Sequence, residues 1–283
     1  MPRPVGKAGR PADHGVGSPA GGSRGGPLTH QEPRVSSSEE HAAFDCSHPI
    51  PAGSKHYFEY LQSKGVTHFK VPLSWAKLLP TGLPSNPGPG VVSCYQTLLK
   101  QLLEVGLQPL VILHGSGVPD SLKSRYGGWE SQWLLEMFQQ YAEFALTEFG
   151  PLAHSWVTFS DLDGVLHEAQ GADHHSLLQN ILQLNKKIHQ FYHQNFPGHG
   201  RRLSVGLTGR DEATLSQLKG STTVDFLSVV IDYSCASSAN FALELKELQI
   251  SSGNLPIMIY KLAVRDCSHN DLESLGDLFK GYV

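Results

Sequence analysis

From Tyr57 onward short apolar runs alternate with amphipathic helical stretches, and this alternation restricts the fold more than any other feature of the chain. Residues 56–64 place Tyr57, Tyr60 and Leu61 at helical spacing, and Gly65 ends the segment. Short apolar strands are expected at 68–73, 108–113, 155–159, 203–207, 224–231 and 255–260. Helices are expected at 91–105, 129–149, 177–196, 213–218, 242–248 and 271–279. The run at 108–113 (QPLVIL) is almost continuously apolar, as suits a strand covered on both faces. Strands and helices in strict alternation build βα units around a parallel sheet. A doubly wound sheet is the rival, but no Gly-x-Gly-x-x-Gly follows any strand to mark its dinucleotide site. The expected architecture is therefore an α/β, eightfold β/α (TIM) barrel with six recognisable strands.

Composition separates this region from what precedes it. Residues 1–34 hold 8 of the 29 Gly and 6 of the 18 Pro, no aromatic residue, and five basic against two acidic side chains. Such a segment buries too little apolar surface to offset its ordering entropy. The expected division is a disordered Gly/Pro-rich tail at 1–42 and a folded domain at 43–283. The whole chain of 283 residues carries a net charge of −4, which leaves no basic surplus for neutralising phosphates. A nucleic-acid partner is not expected. No run approaches the roughly 18 apolar residues that span a bilayer, and no apolar signal core opens the chain. No membrane contact is expected of this chain itself.

In β/α barrels the reactive groups stand at the carboxyl ends of the strands. The positions to inspect are Ser74 and Trp75, 114–119, 160–163, 232–235 and 261–266. Several phrases at and between these ends resemble family 1 glycoside hydrolases. Residues 69–80 (FKVPLSWAKLLP) are similar to that family's R-F-S-I-S-W-S-R-I-L-P. Residues 94–100 (CYQTLLK) with 106–113 (GLQPLVIL) resemble F-Y-x-x-L-I-D and G-I-x-P-x-V-T-L-Y-H. Residues 126–129 (YGGW), Phe149 with Gly150, 156–159 (WVTF) and 224–227 (VDFL) are similar to Y-G-G-W, R-F-G, W-I-T-F-N-E-P and D-F-L-G. Order and spacing hold over about residues 55–265. More narrowly, 73–80, 107–114, 158–162 and 223–228 resemble the degenerate leading repeat of the lactase-type members of the family, which carry several repeats in tandem.

The resemblance implies a retaining glycosidase site, which needs two carboxyl groups about 5–5.5 Å apart, one acid/base and one nucleophile. Position by position the chemistry is altered. The family's N-E-P falls on Ser160, Asp161 and Leu162. Ser160 replaces the amide that binds the sugar 2-hydroxyl, and Asp161 replaces the acid/base Glu with a side chain about 1.5 Å shorter. A misplacement of about 1 Å can cost on the order of 100-fold in rate. The nucleophilic Glu falls on Lys261, and a protonated amine cannot attack an anomeric carbon. Gly115 and Ser116 replace the His-Trp pair that donates to and stacks on the sugar. Lys70 replaces an Arg and with it a bidentate grip on carboxylates. Residues 229–231 replace Asn-Tyr-Tyr. The scaffold phrases survive while the site positions do not.

Other groups point to no second chemistry. Asp161 reads as a helix cap or a polar loop residue as well as a degenerate acid. Asp163, Asp232 and Asp266 share the same barrel face but read as ordinary loop carboxylates. His167, Glu168, Asp173, His174 and His175 form the densest set of metal-ligand types, and a solvated His-rich loop describes them better. His189 and His193 stand at i, i+4 on one helix face without a Glu between them at metalloprotease spacing. Ser116 lacks the first Gly of a nucleophile elbow. Trp75, Trp129 and Trp156 fall in scaffold phrases and are expected to pack. No cofactor or metal is expected.

The four cysteines, Cys46, Cys94, Cys235 and Cys267, have no CxxC spacing. If the barrel reading holds, Cys235 and Cys267 follow neighbouring strands, which favours that disulfide and leaves Cys46 with Cys94. The cysteines and the resemblance together suggest a secretory-pathway or cell-surface parent protein.

The functional expectation is a catalytically degenerate glycosidase-like domain, acting as a folding or interaction module beside other repeats of a larger protein. The alternatives are a weak retaining β-glycosidase using Asp161, or a glycan-binding module. The family's opening strand is not recognisable, and the eighth strand is not reached. A shortened barrel with two open edges, marginal on its own, is the expectation.

Overall fold

The computed structural model describes residues 44–46, 48–115, 117–169, 173–208, 212–218, 223–234, 241–253 and 255–265. Seven strand segments alternate with nine helices among them. The strands are β1 (His68–Pro72), β2 (Gln108–His114), β3 (Ser155–Phe159), β4 (Arg202–Ser204), β5 (Gly206–Thr208), β6 (Leu227–Ser234) and β7 (Ile257–Arg265). The helices are α1 (Ser54–Ser63), α2 (Trp75–Leu78), α3 (Val91–Glu104), α4 (Asp120–Tyr126), α5 (Gln132–Phe149), α6 (Leu162–Glu168), α7 (His174–Asn195), α8 (Glu212–Leu218) and α9 (Phe241–Ser252). None of them is long and apolar enough to cross a membrane.

All strand pairs are parallel and follow chain order, β1-β2-β3-β4 and then β5-β6-β7. β4 and β5 occupy the single strand expected at 203–207, interrupted at Val205. Before the break, Arg202 to Ser204 pair with Ser155 to Val157 of β3; after it, Gly206 to Thr208 pair with Ser228 to Val230 of β6. Gly206 shows why the chain turns there. A Cβ at this residue would lie 2.5 Å from the Ser160 carbonyl oxygen and 2.6 Å from that of Phe159. Only a glycine lets the fourth strand pass so close to the end of β3. The six strand positions so defined run consecutively, as barrel strands do.

Apolar residues fill both faces of this sheet. Leu110, Ile112, Val157 and Phe226 form one small cluster with Met258 against it. The larger cluster joins Val71, Val111, Leu113, Trp156 and Leu203 to the helices. Thr158 is buried yet satisfied: its hydroxyl donates to Asn185 Oδ1 at 2.7 Å, and Asn185 Nδ2 donates to the Thr223 carbonyl at 2.7 Å. That chain of bonds fastens α7 to β3 and to the segment leading into β6.

Several element ends differ from the sequence expectation. The helix expected from 129 begins at Gln132, because Gly127 (φ 84°) and Gly128 form a turn that buries Trp129 first. The helix expected from 177 begins at His174, where the Asp173 carboxylate caps it by accepting the His175 N–H at 3.1 Å. α2, α4 and α6 have four to seven residues, too few for an apolar period to show. The tail expected at 1–42 and the helix expected at 271–279 lie outside the described residues.

Candidate functional site

The carboxyl ends of β1, β2 and β3 converge on a dense aromatic cluster. Trp75 follows β1 and stacks on Tyr141, with centroids 5.2 Å apart; it also meets Phe138 edge-on at 5.4 Å. His114, the last residue of β2, lies 4.9 Å from Trp129 and 5.6 Å from Phe159 at the end of β3. Phe138 and Phe159 stack at 4.8 Å. Trp75, Trp129 and Trp156 are all buried, so the expectation that they pack holds. The His114 Nε2 is enclosed without a hydrogen-bond partner. Burial holds the imidazole neutral, pulling its pKa down from 6.5 to about 4.

Asp161 is the N-cap of α6. Its Oδ1 accepts the Gly164 N–H at 2.9 Å, and the residue itself is exposed. A Cβ on Gly164 would meet the Asp161 Oδ2 at 2.6 Å, so the capping turn is built closely around this carboxylate. Ser160 is half-buried, and its N–H donates to the His114 carbonyl at 3.0 Å, continuing the β2–β3 pairing by one residue.

Gly115 lies against β1. A Cβ there would stand 2.7 Å from the Pro72 Cβ, closer than real side chains come. A histidine at this position, where the resemblance puts a sugar donor, would require Pro72 or the backbone to shift. Lys70 lies half-buried in β1 opposite Leu110. Lys261 lies in β7 opposite Val230. Asp232 lies in β6 opposite Ala263. Ser116, Asp266, Cys235 and Cys267 lie outside the described residues. Cys46 and Cys94 form a disulfide, Cα–Cα 6.0 Å, as the sequence pairing had it.

A depression of about 520 Å³ is lined by Cys46, His48, Ile50, Gly90, Cys94 and Gln101 among others. It lies beside that disulfide and includes none of Lys70, Gly115, Ser160 or Asp161.

Among the described residues the His-rich loop forms no group of three metal-ligand side chains, although the His167 and His174 rings lie 6.1 Å apart. His167 Nδ1 donates to the Asp163 carbonyl at 2.7 Å, and Asp173 is occupied by its capping bonds to His175 and Ser176. The structure instead brings together His189, His193 and Asp225, whose donor atoms all lie within 4.8 Å of one another. Asp225 belongs to the scaffold phrase at 224–227, and sequence reasoning gave it no role. No signal in the sequence links it to α7, because the contact spans 32 residues.

Comparison with known proteins agrees with this fold. The profile of Glycosyl hydrolase family 1 matches residues 32–218. Human lactase/phlorizin hydrolase is 37% identical over 229 residues, which cover 78% of this chain and 12% of that protein. Mouse klotho is 32% identical over 163 residues, covering 53% of this chain and 16% of klotho. The chain thus spans a small part of the length of these relatives. A rice β-glucosidase superposes with a TM-score of 0.55 at 15% identity, covering 64% of this chain and 52% of the enzyme. At that identity the superposition speaks to the fold, and the fold is that of a family 1 barrel.

Proposed function

The chain belongs to Glycosyl hydrolase family 1, and from that premise we infer that it is a catalytically degenerate member serving as a folding or interaction module of a lactase-type protein. The observation that carries this reading is the use made of Asp161. Its carboxylate, at the acid/base position, caps α6 through the Gly164 N–H at 2.9 Å. A general acid must reach the glycosidic oxygen within hydrogen-bond distance. A carboxylate held in a cap, one methylene shorter than the family's Glu, is poorly placed to do so.

Two further features support the same reading. The resemblance puts the nucleophile position at Lys261, which lies in β7. Attack on the anomeric carbon needs a carboxylate there, and a cation would also repel the oxocarbenium-like transition state. At Gly115 a side chain would meet Pro72, which disfavours a sugar donor at that position. We propose other glycosidase-like repeats of a larger protein as partners of such a module, a reading suggested by the identity to lactase/phlorizin hydrolase.

The test is turnover of nitrophenyl β-galactoside and β-glucoside by the full chain, beside its Asp161→Asn variant. The expected result is no turnover above the uncatalysed rate in either protein. Hydrolysis by the wild-type chain that disappears in Asp161→Asn would refute the inference and establish a residual glycosidase.

A further inference from the structure

We propose that His189, His193 and Asp225 form a binding site for a divalent transition metal of the zinc type, at the end of the sheet opposite the strand ends that carry family chemistry. His189 and His193 stand one turn apart near the carboxyl end of α7, with ring centroids 4.3 Å apart. Asp225 sits just before β6 and faces both. His189 Nε2 is 3.1 Å from Asp225 Oδ1, and His193 Nε2 is 2.9 Å from Asp225 Oδ2. Both imidazoles therefore present the same nitrogen to one carboxylate, one to each oxygen.

Three properties suit this trio to a cation. The first is the donor set. Two imidazoles and a carboxylate are ligands that zinc takes at about 2.0–2.2 Å, with a fourth position left for water. Tetrahedral ligands at that distance are about 3.4 Å apart. The donor atoms here lie within 4.8 Å of one another, so shifts of several tenths of an ångström to about 1 Å bring them into place.

The second is the fixed carboxylate. Asp225 Oδ2 accepts the Leu203 N–H at 2.7 Å, while the Asp225 N–H donates back to the Leu203 carbonyl at 2.9 Å. A ligating carboxylate held by a backbone donor is the usual outer-shell arrangement of a metal site.

The third is His189 itself. Its side chain is 14% exposed, and its buried Nε2 makes no well-aligned hydrogen bond despite the nearby carboxylate. A lone pair on that nitrogen would be satisfied by a metal. His193, 34% exposed, leaves the site open to solvent on one side. A bound ion would clamp α7 to β4 and to the entry of β6, far along the chain from Asp161, whose chemistry the site does not use.

The chain contains 15 histidines, so the test must separate this site from scattered surface binding. The full chain, free of any affinity tag and stripped of metal, is titrated with Zn2+ by calorimetry and with Co2+ by visible absorption. The same titrations are run on His193→Gln and on the double variant His189→Gln/His193→Gln. The expected result is one equivalent of Zn2+ bound at micromolar concentration or tighter. Affinity should fall at least tenfold in His193→Gln, and the equivalent should vanish in the double variant. The Co2+ d–d bands should follow the same order. Zn2+ should also raise the thermal midpoint of the wild-type chain and not that of His193→Gln, a partly exposed position whose replacement leaves the core intact. Equal Zn2+ affinity and stoichiometry in wild type and double variant would overturn the proposal. So would the absence of any micromolar equivalent in the wild-type chain, leaving a polar clamp between α7 and β6.

Discussion

His114 makes the stability of this barrel depend on pH through one identifiable side chain. It is enclosed by Trp129, Phe138 and Phe159, and its Nε2 has no partner. The folded state therefore resists protonating it, holding the pKa near 4 where an unfolded chain would have about 6.5. For a base whose folded pKa is lowered, the unfolded state binds the proton more readily in that window. Stability therefore falls as pH drops from 6.5 to 4 and is flat with respect to this group above and below. At about 1.4 kcal/mol per factor of ten, the gap amounts to about 3 kcal/mol, of which about 2.5 kcal/mol is lost by pH 4.5. Against a typical total of about 5–15 kcal/mol, that is a large share.

The perturbation is His114→Phe, which keeps an aromatic ring in an aromatic site and removes the titration. Urea unfolding followed by tryptophan fluorescence, at several pH values between 7.5 and 4.5, gives both stability profiles. Carboxylates elsewhere contribute equally to the two proteins and cancel in the difference. The wild-type chain should lose about 2.5 kcal/mol more than the variant over this range. Parallel profiles would refute the reasoning and show that His114 is protonated in the fold without penalty.

Other consequences are more local. Gly115→His, which puts back the side chain that the resemblance places there, should destabilise by about 1–3 kcal/mol in denaturant unfolding, because its Cβ meets Pro72; it should not create sugar binding in calorimetry. Asp161→Glu should lower stability by about 0.5–2 kcal/mol through loss of the α6 cap, and nitrophenyl-glycoside assays should show no gain of turnover. Replacing both Cys46 and Cys94 by Ser should destabilise by up to about 4 kcal/mol, the chain-entropy value for a crosslink between residues 48 apart; chemical unfolding of both proteins under non-reducing conditions checks it.

Much of the fold could be read from the sequence because barrel strands are short apolar runs and their helices are amphipathic. β2 was legible from its QPLVIL run, since a strand covered on both faces has no polar period to hide it. The division of the fourth strand was not, because 203–207 is one apolar phrase. Its break depends on Gly206 approaching the Ser160 and Phe159 carbonyls, a contact between distant segments. α6 was invisible as a helix, yet the capping role of Asp161 was among the readings weighed for that residue. The substitutions at 70, 115, 116, 160, 161 and 261 were read only against the pattern that the resemblance implies. That Gly115 is pressed on Pro72 was not legible, since a glycine in sequence does not disclose what a side chain would meet. Asp225 was read as scaffold, and only tertiary packing sets it against His189 and His193.

The most direct test of the proposed loss of catalysis is covalent trapping. A retaining family 1 enzyme forms a glycosyl ester on its nucleophilic carboxylate, and a 2-deoxy-2-fluoro-β-glycoside with an activated leaving group arrests it there. Incubation of the full chain with the gluco and galacto forms, followed by intact-mass measurement, should leave the mass unchanged if, as proposed, Lys261 replaces the nucleophilic carboxylate. A stoichiometric gain of one fluoroglycosyl group, mapped to an Asp or Glu, would contradict the account and show that a working nucleophile remains.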